Sequence, residues 1–415
     1  MKAAVLSIGT ELTRGELVNT NATWLCERLT LLGFDVVEAL VVDDDRARVG
    51  RAVRRLCEDV SVVVSTGGLG PTTDDLTTEA VAAVLGVPLE RHAPSIEAIR
   101  ARFASFGRTM SPSNEKQADF PTGASVLANP VGTAPGFRVS MMSAQAFFLP
   151  GVPSEMRRLF EEHVEPQIAG LVVRTSHQIK LRTFGLPESQ VGEMLAGLEQ
   201  DEPGLTLGYR ASFPEIEVKV LVRASTFADA EARATRAAGK VRDRLGRAVF
   251  GEDEDTFAEY VGRTLRDRAM TVAVAESCTG GMIGQLLTSV PGSSDYLLLD
   301  AVTYSNASKT DVLGVSGELL RAYGAVSGEV AVAMAEGALR RSGADLAIAV
   351  TGVAGPGGGS DAKPVGTVWF ALAARDKTTV CETRKLVGDR ERIRTVASYL
   401  ALKLVVDAAQ GRTRD

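Results

Sequence analysis

The chain has 415 residues, which suggests two to four domains, with three the middle expectation. With 45% hydrophobic and 24% charged residues it is not a disordered chain. A net charge of −6 and 5% aromatic residues are unlike a basic, aromatic-laced surface, so nucleic acid is not an expected partner. The four cysteines (Cys26, Cys57, Cys278, Cys381) are scattered without a CxxC, which speaks against a disulfide framework or a zinc site and fits a reducing cytoplasm. The three histidines lack ligand spacing, so carboxylates are left to hold any metal. No apolar run approaches the ~20 residues of a membrane span, and the first residues read as a strand rather than a signal peptide.

In chain order, residues 3–8 predict a strand ending at Gly9. Leu25, Leu29 and Leu32 mark a helix that Asn19, Thr20 or Asn21 caps and Gly33 ends. A strand over 34–42, a helix through Val49, Val53 and Leu56, and the buried-type strand 61–65 follow. A glycine-rich loop, 66–73, leads into a helix from about Asp75 to Leu85. This alternation predicts a doubly wound parallel sheet. Residues 87–123 read as a polar lobe with mixed helix, and two strands, near 124–129 and 144–149, precede a helix opened by Pro153. Residues 171–250 read strand, helix, strand, strand, helix: a small α+β module with Ile216, Val218, Val220 and Val222 alternating. The acidic stretch 251–255 reads as a boundary. A third α/β domain then runs to the end, with strands at 270–275, 296–304, 345–350, 366–374 and 378–386 and a last helix from about Arg390. The expected domains are thus 1–170, 171–250 and 251–415.

Two constellations carry chemistry. In the first, Gly67, Gly68 and Gly70 sit where a strand passes into a helix, the ligand-binding end of an open α/β sheet. Asp74 and Asp75 beside a phosphate-shaped loop call for a hard cation such as Mg2+, to which Glu11 could add a carboxylate. The alternative is that one aspartate simply caps the helix. In the second, Ser277 lies where a strand turns into a helix containing Gly280 and Gly281, with unpaired amides that suit an oxyanion. All three histidines precede this domain, so a serine nucleophile there needs a lysine of lowered pKa as base. Lys309 and Tyr304, at the end of the next strand, are the candidates, and Cys278 is a rival nucleophile. The run 351–359 (TGVAGPGGG) is placed to wrap a small anionic ligand.

The blocks IGTELTRGELVNTNATWLCERLTLLGFDV, STGGLGPTTDDLTTEAVAAVLG, NPVGTAPGF and LPGVPSEM resemble the amino-terminal domain of the competence/damage-inducible CinA family, a relative of the molybdopterin-binding fold. The resemblance implies metal-dependent hydrolysis of ADP-ribose to AMP and ribose 5-phosphate. Glu11, Asp74 and Asp75 would then hold Mg2+, Mn2+ or Co2+, with help from K+, and Gly67, Gly68, Gly70, Gly132, Thr133 and Gly136 would line the ligand. AESCTGG, AVTYSNASK, VTGVAGPGGG and KPVGTVWFAL resemble the carboxy-terminal CinA domain, whose stand-alone relatives are nicotinamide-nucleotide amidases. That implies conversion of nicotinamide mononucleotide to nicotinate mononucleotide and ammonia. Ser277 would be nucleophile, Lys309 base and Tyr304 an orienting or relay group. Thr351, Gly352, Gly355 and Gly357 would hold substrate, with Arg390 and Arg394 on its phosphate. The middle module resembles the family's KH-like insert without a GxxG clamp, and the resemblance implies a homodimer. A nucleotide-sensing adaptor in competence or DNA repair, or a molybdopterin-handling protein, are the rival readings.

Overall fold

The computed structural model describes residues 1–412 and separates into two compact units, residues 1–178 with 221–234, and residues 179–220 with the chain from 235 onward. In the first unit, β1 (Lys2–Ile8), β2 (Asp35–Val42), β3 (Val62–Thr66), β6 (Ser125–Leu127), β7 (Gly136–Met141) and β8 (Ala144–Leu149) form one sheet of order β2-β1-β3-β8-β7-β6. β1 pairs in parallel with β2 and β3, and β3 with β8, whereas β6 and β7 are antiparallel. All five residues of β3 are buried, as expected of a strand covered on both faces. The period-2 alternation of a strand divides the core between the two faces. Ala4, Leu6 and Ile8 pack with Val49, Val53 and Leu56 of the helix Arg46–Asp59; Ala3 and Val5 pack with Leu25 and Leu29 of the helix Thr20–Leu31. The doubly wound sheet is therefore as the sequence predicts.

β7 is a strand the sequence reading missed. It alternates buried and less buried residues and turns into β8 at Met142, which has a positive φ of 55°. The polar lobe contains the helix Ala93–Ser105 and a two-stranded ribbon of β4 (Leu89–Arg91) and β5 (Asp119–Pro121).

A four-stranded sheet of order β10-β11-β9-β12 forms the small module, from β9 (Thr175–Thr183), β10 (Leu205–Ser212), β11 (Glu215–Ala224) and β12 (Val249–Glu252). β12 overlaps the stretch read as a boundary: it pairs antiparallel with β9, and the acidic turn after it closes when Asp255 accepts from the Glu252 amide at 3.1 Å. Val218, Val220 and Val222 are buried, but so is Glu215 on the opposite face. Its carboxylate accepts from Arg182 Nε at 3.1 Å and from the Tyr399 hydroxyl at 2.9 Å. Removing one member of a buried ion pair strands the other charge. Glu215→Ala is therefore expected to lower stability by about 3 kcal/mol and Tyr399→Phe by about 1 kcal/mol, read from urea unfolding; a Glu215→Ala effect near zero would mean that Arg182 finds solvent instead.

The second unit also carries a five-stranded sheet of order β14-β13-β15-β16-β17, from β13 (Val272–Glu276), β14 (Leu297–Val302), β15 (Leu346–Gly352), β16 (Thr367–Ala374) and β17 (Val380–Lys385). β13 is parallel to β14 and β15, and β16 and β17 return antiparallel. Ala273, Ala275, Ala347 and Ala349 make one face smooth enough for the helix Gly328–Ser342 to pack on it through Val330, Ala331, Met334, Ala335 and Ala338. The other face packs Val272, Val274, Ile348 and Val350 against the last helix, Arg390–Ala409. Parallel order brings the carboxyl ends of β13, β14 and β15 to one edge. Among the described residues, no helix is long and apolar enough to cross a membrane.

Candidate functional site

The Ser277 site is built from backbone ties between those three strand ends. The Ser277 amide donates to the Val350 carbonyl at 3.0 Å, and the Thr303 amide donates to the Glu276 carbonyl at 2.8 Å. Ser305 then caps the helix Asn306–Leu313 by accepting from the Ser308 amide. This start sets Lys309 on the inner side of the first turn. Lys309 is wholly buried: its Nζ donates to the Thr303 carbonyl at 2.6 Å and lies 3.0 Å from Ser277 Oγ. Burial lowers its pKa from 10.5 to about 8. In the neutral form, the hydrogen bond to Thr303 orients the amine so that its lone pair can face the serine hydroxyl.

The other expected residues divide. Tyr304 is 61% exposed, and its hydroxyl accepts from Arg390 at 3.1 Å. Arg390 also donates to the Gly355 carbonyl at 2.9 Å, so it ties the tyrosine to the glycine loop. Arg394 donates twice, at 3.1 and 2.7 Å, to the Thr279 carbonyl, which pins the turn after the serine. Thr351 is buried and its hydroxyl donates to the Ala325 carbonyl at 2.8 Å, so that proton is committed to the scaffold. A Cβ at Gly352 would meet the Thr367 carbonyl and one at Gly355 the Val365 side chain, so both are packing glycines, while Gly357 faces open space.

Two expectations about the turn are corrected. Gly280 and Gly281 precede the helix rather than sit in it; their φ angles of 60° and 90° are left-handed, and the helix is Met282–Thr288. Nor are its first amides all unpaired: those of Gly281 and Gly284 donate to the buried Glu276 carboxylate, at 2.9 Å each. Glu276 and Thr303 are the residues that the sequence reading passed over; the glutamate beside the serine in AESCTGG was the available signal. Cys278 is buried, and its thiol is pushed up to about 12, chiefly by that burial. Its alkylation by iodoacetamide at pH 7.5 is therefore expected only after unfolding; rapid native alkylation, read by mass spectrometry, would revive it as the nucleophile.

In the first unit, a cavity of about 380 Å³ is lined by Glu11, Gly67, Gly68, Gly70, Asp74, Asp75 and Thr133, and also by Asp44, Gln117 and Glu155, which the sequence reading did not include. Gly132 and Gly136 are outside the lining. Gly136 begins β7, where a Cβ would press on the Phe148 carbonyl, and Gly132 lets the Glu155 carboxylate pack against its backbone. Gly67 (φ 105°) similarly packs on the Ile8 carbonyl, which joins the loop to the end of β1. Neither aspartate caps the following helix: it begins at Thr77, its N-cap position is Leu76, and no side chain accepts there. Asp75 instead accepts from the Thr72 amide at 2.9 Å and from the Thr72 hydroxyl, while Lys116 donates to the Thr72 and Asp75 carbonyls at 2.9 and 2.8 Å. The Thr72 hydroxyl also holds the Asp74 carboxyl below its ordinary range. Asp44 is anchored by the Thr10 amide at 2.7 Å.

The oxygen-only side chains of this cavity suit a hard divalent ion. Among the described residues no three acidic, histidine or cysteine side chains gather as a ready coordination group. Mg2+ asks for less, because it is commonly held by one or two carboxylates together with water and substrate phosphate. The donor chemistry thus fits, with Asp74, Asp44 and Glu11 the residues free to serve.

Comparison with known proteins gives three family matches in chain order: "Probable molybdopterin binding domain" over residues 4–170, "Damage-inducible protein CinA KH domain" over 178–251, and "CinA C-terminal domain" over 254–409. A "CinA-like protein" of Anaeromyxobacter sp. (strain Fw109-5) is 47% identical over 97% of this chain and 97% of its own length. Another of Geobacter sulfurreducens is 43% identical over 97% of this chain and 98% of its own. The crystal structure of CinA from Thermoplasma acidophilum, described as of unknown function, is 36% identical and covers 40% of this chain and 97% of its own, with a TM-score of 0.38. Near-complete overlap with such relatives, at more than two residues in five, shows that the chain belongs to the CinA family.

Proposed function

We propose that the carboxy-terminal site hydrolyses the carboxamide of nicotinamide mononucleotide to nicotinate mononucleotide and ammonia. The observation that carries this reading is the wholly buried Lys309, with its Nζ 3.0 Å from Ser277 Oγ. Neutral Lys309 takes the hydroxyl proton as Ser277 Oγ adds to the amide carbonyl. The ammonium then returns that proton to the amide nitrogen, the C–N bond breaks, and ammonia leaves an acyl-serine. Water, deprotonated by the same lysine, adds to the ester; the bond to Oγ breaks, the lysine ammonium returns its proton to Ser277, and the acid product gives its remaining proton to the released ammonia or to solvent as it leaves as carboxylate. Glu276 already holds the Gly281 and Gly284 amides, and the Gly280 amide donates to the Ser277 carbonyl, so an oxyanion would be received by other amides of the turn. Arg390 and Arg394 keep further N–H groups for the substrate phosphate. Ammonia release from nicotinamide mononucleotide, compared between the intact protein and Ser277→Ala, tests the reading; an unaffected rate in the variant would remove it.

The acid-lined cavity of the first unit favours a second activity, hydrolysis of ADP-ribose to AMP and ribose 5-phosphate. A divalent ion bound there would neutralise the pyrophosphate and acidify a bound water. The chain's own part is to offer Asp74, Asp44 and Glu11 to the ion and to hold the loop 66–73 rigid through Lys116 and Asp75. The amides of that loop would receive the phosphate oxygens.

A further inference from the structure

Glu276 is the last residue of β13, immediately before Ser277, and it is wholly buried. A carboxylate in that position is costly unless hydrogen bonds compensate it. Both oxygens are used: Oε2 accepts from the Gly281 amide and Oε1 from the Gly284 amide, at 2.9 Å each. The positive end of the helix Met282–Thr288 is thereby occupied by a protein carboxylate and not left for a ligand.

The same two bonds close residues 277–281 into a fixed loop. Its other ties are the Ser277 amide to Val350, the Gly280 amide to the Ser277 carbonyl at 3.2 Å, and Arg394 to the Thr279 carbonyl. Without Glu276, the far end of the turn would lose both of its anchors to β13, and the serine rotamer that faces Lys309 would be one of several available. Behind Glu276 stands Asp300 of β14, paired in register with Val274. A Cβ at Gly284 would overlap the Asp300 carboxylate, so the missing side chain is what lets the two acids meet. Loss of solvent around its carboxyl, and then the facing Glu276, push Asp300 up to about 7.

We propose that Glu276 is a positioning residue for Ser277, clamping the Gly281 and Gly284 amides so that the turn presents the serine to Lys309. Glu276 takes no proton from the serine. The inference rests on the serine–lysine reading but not on the identity of the amide substrate.

The test uses the full chain with Glu276→Gln and Glu276→Asp, and two readouts. One is ammonia release from nicotinamide mononucleotide; the other is the rate at which a fluorophosphonate probe labels Ser277, followed by intact mass. Glutamine keeps one acceptor and loses the other, and aspartate keeps the charge but is too short to reach both amides. Each is expected to lower kcat and the labelling rate about 10- to 100-fold with KM within threefold. Thermal melts establish which variants are folded. A folded Glu276→Gln or Glu276→Asp that labels at the wild-type rate, or that loses only KM, overturns the proposal. So does a wild-type Ser277 that the probe never labels, since no activated nucleophile would then be held. Wild-type protein that labels but releases no ammonia defeats the substrate reading alone, and a slowed labelling of Glu276→Gln in that case still supports the clamp.

Discussion

Replacing Lys309 with methionine is expected to reduce ammonia release from nicotinamide mononucleotide by about a thousandfold, and to make the protein more stable at pH 7. Both effects have one cause. The Lys309 amine can act as a base near neutral pH because burial has lowered its pKa from 10.5 to about 8. The folded protein therefore binds fewer protons than the unfolded chain between those values, and stability rises with pH through that window. Below about pH 8 the ammonium is charged in both states, and the folded state carries the full penalty of burying it. The drop from 10.5 to about 8 corresponds to on the order of 3 kcal/mol. The stability gain of Lys309→Met, read from urea unfolding, should be largest below pH 8 and fade above pH 10.5. The wild-type rate should rise with pH and level off above about 8, as the amine loses its proton. Ser277→Ala should be as inactive but show no such gain, because it leaves the lysine in place. Activity of Lys309→Met within tenfold of wild type would exclude the lysine as the base.

Most of this architecture was legible because the signals were local or strongly periodic. The run 61–65 between two helical patterns reads as a buried parallel strand, and β3 is one. The serine before two glycines could be placed at a strand end from sequence, and parallel order brings the ends of β13, β14 and β15 to one edge; the lysine, expected at the end of the next strand, sits instead in the helix Asn306–Leu313 that follows it. What was not legible depends on partners distant in sequence. Glu276 stands beside the serine in AESCTGG, but its role shows only when the turn folds its own amides back onto it. Arg390 and Arg394 look like free cations at a helix start, yet both hold backbone carbonyls 35 and 115 residues away. β7 was missed because the glycines at its start read as ligand-binding residues, although Gly136 is a glycine for packing. Asp44 carries no motif, and Glu155, though inside LPGVPSEM, is marked there only as part of the helix that Pro153 opens; the closing of the cavity brings both in with the aspartates of the loop.

In the first unit, chelation of divalent ions with EDTA is expected to abolish AMP formation from ADP-ribose, and Asp74→Asn to lower it at least 100-fold with little change in stability. Asp74 is exposed at the cavity and caps no helix, so it has no evident structural duty. Asp75 differs, because its carboxylate closes the turn on the Thr72 amide and hydroxyl. Asp75→Ala should therefore reduce activity and also cost about 1 kcal/mol of stability. The pair of variants separates a ligand from a loop brace: calorimetric titration with Mn2+ should lose its binding isotherm in Asp74→Asn, whereas Asp75→Ala should weaken it while also lowering the melting temperature. AMP formation that persists in EDTA would remove the metal from the reaction. Persistence of Mn2+ binding in Asp74→Asn would shift the ligand role to Asp44 and Glu11, which line the same cavity.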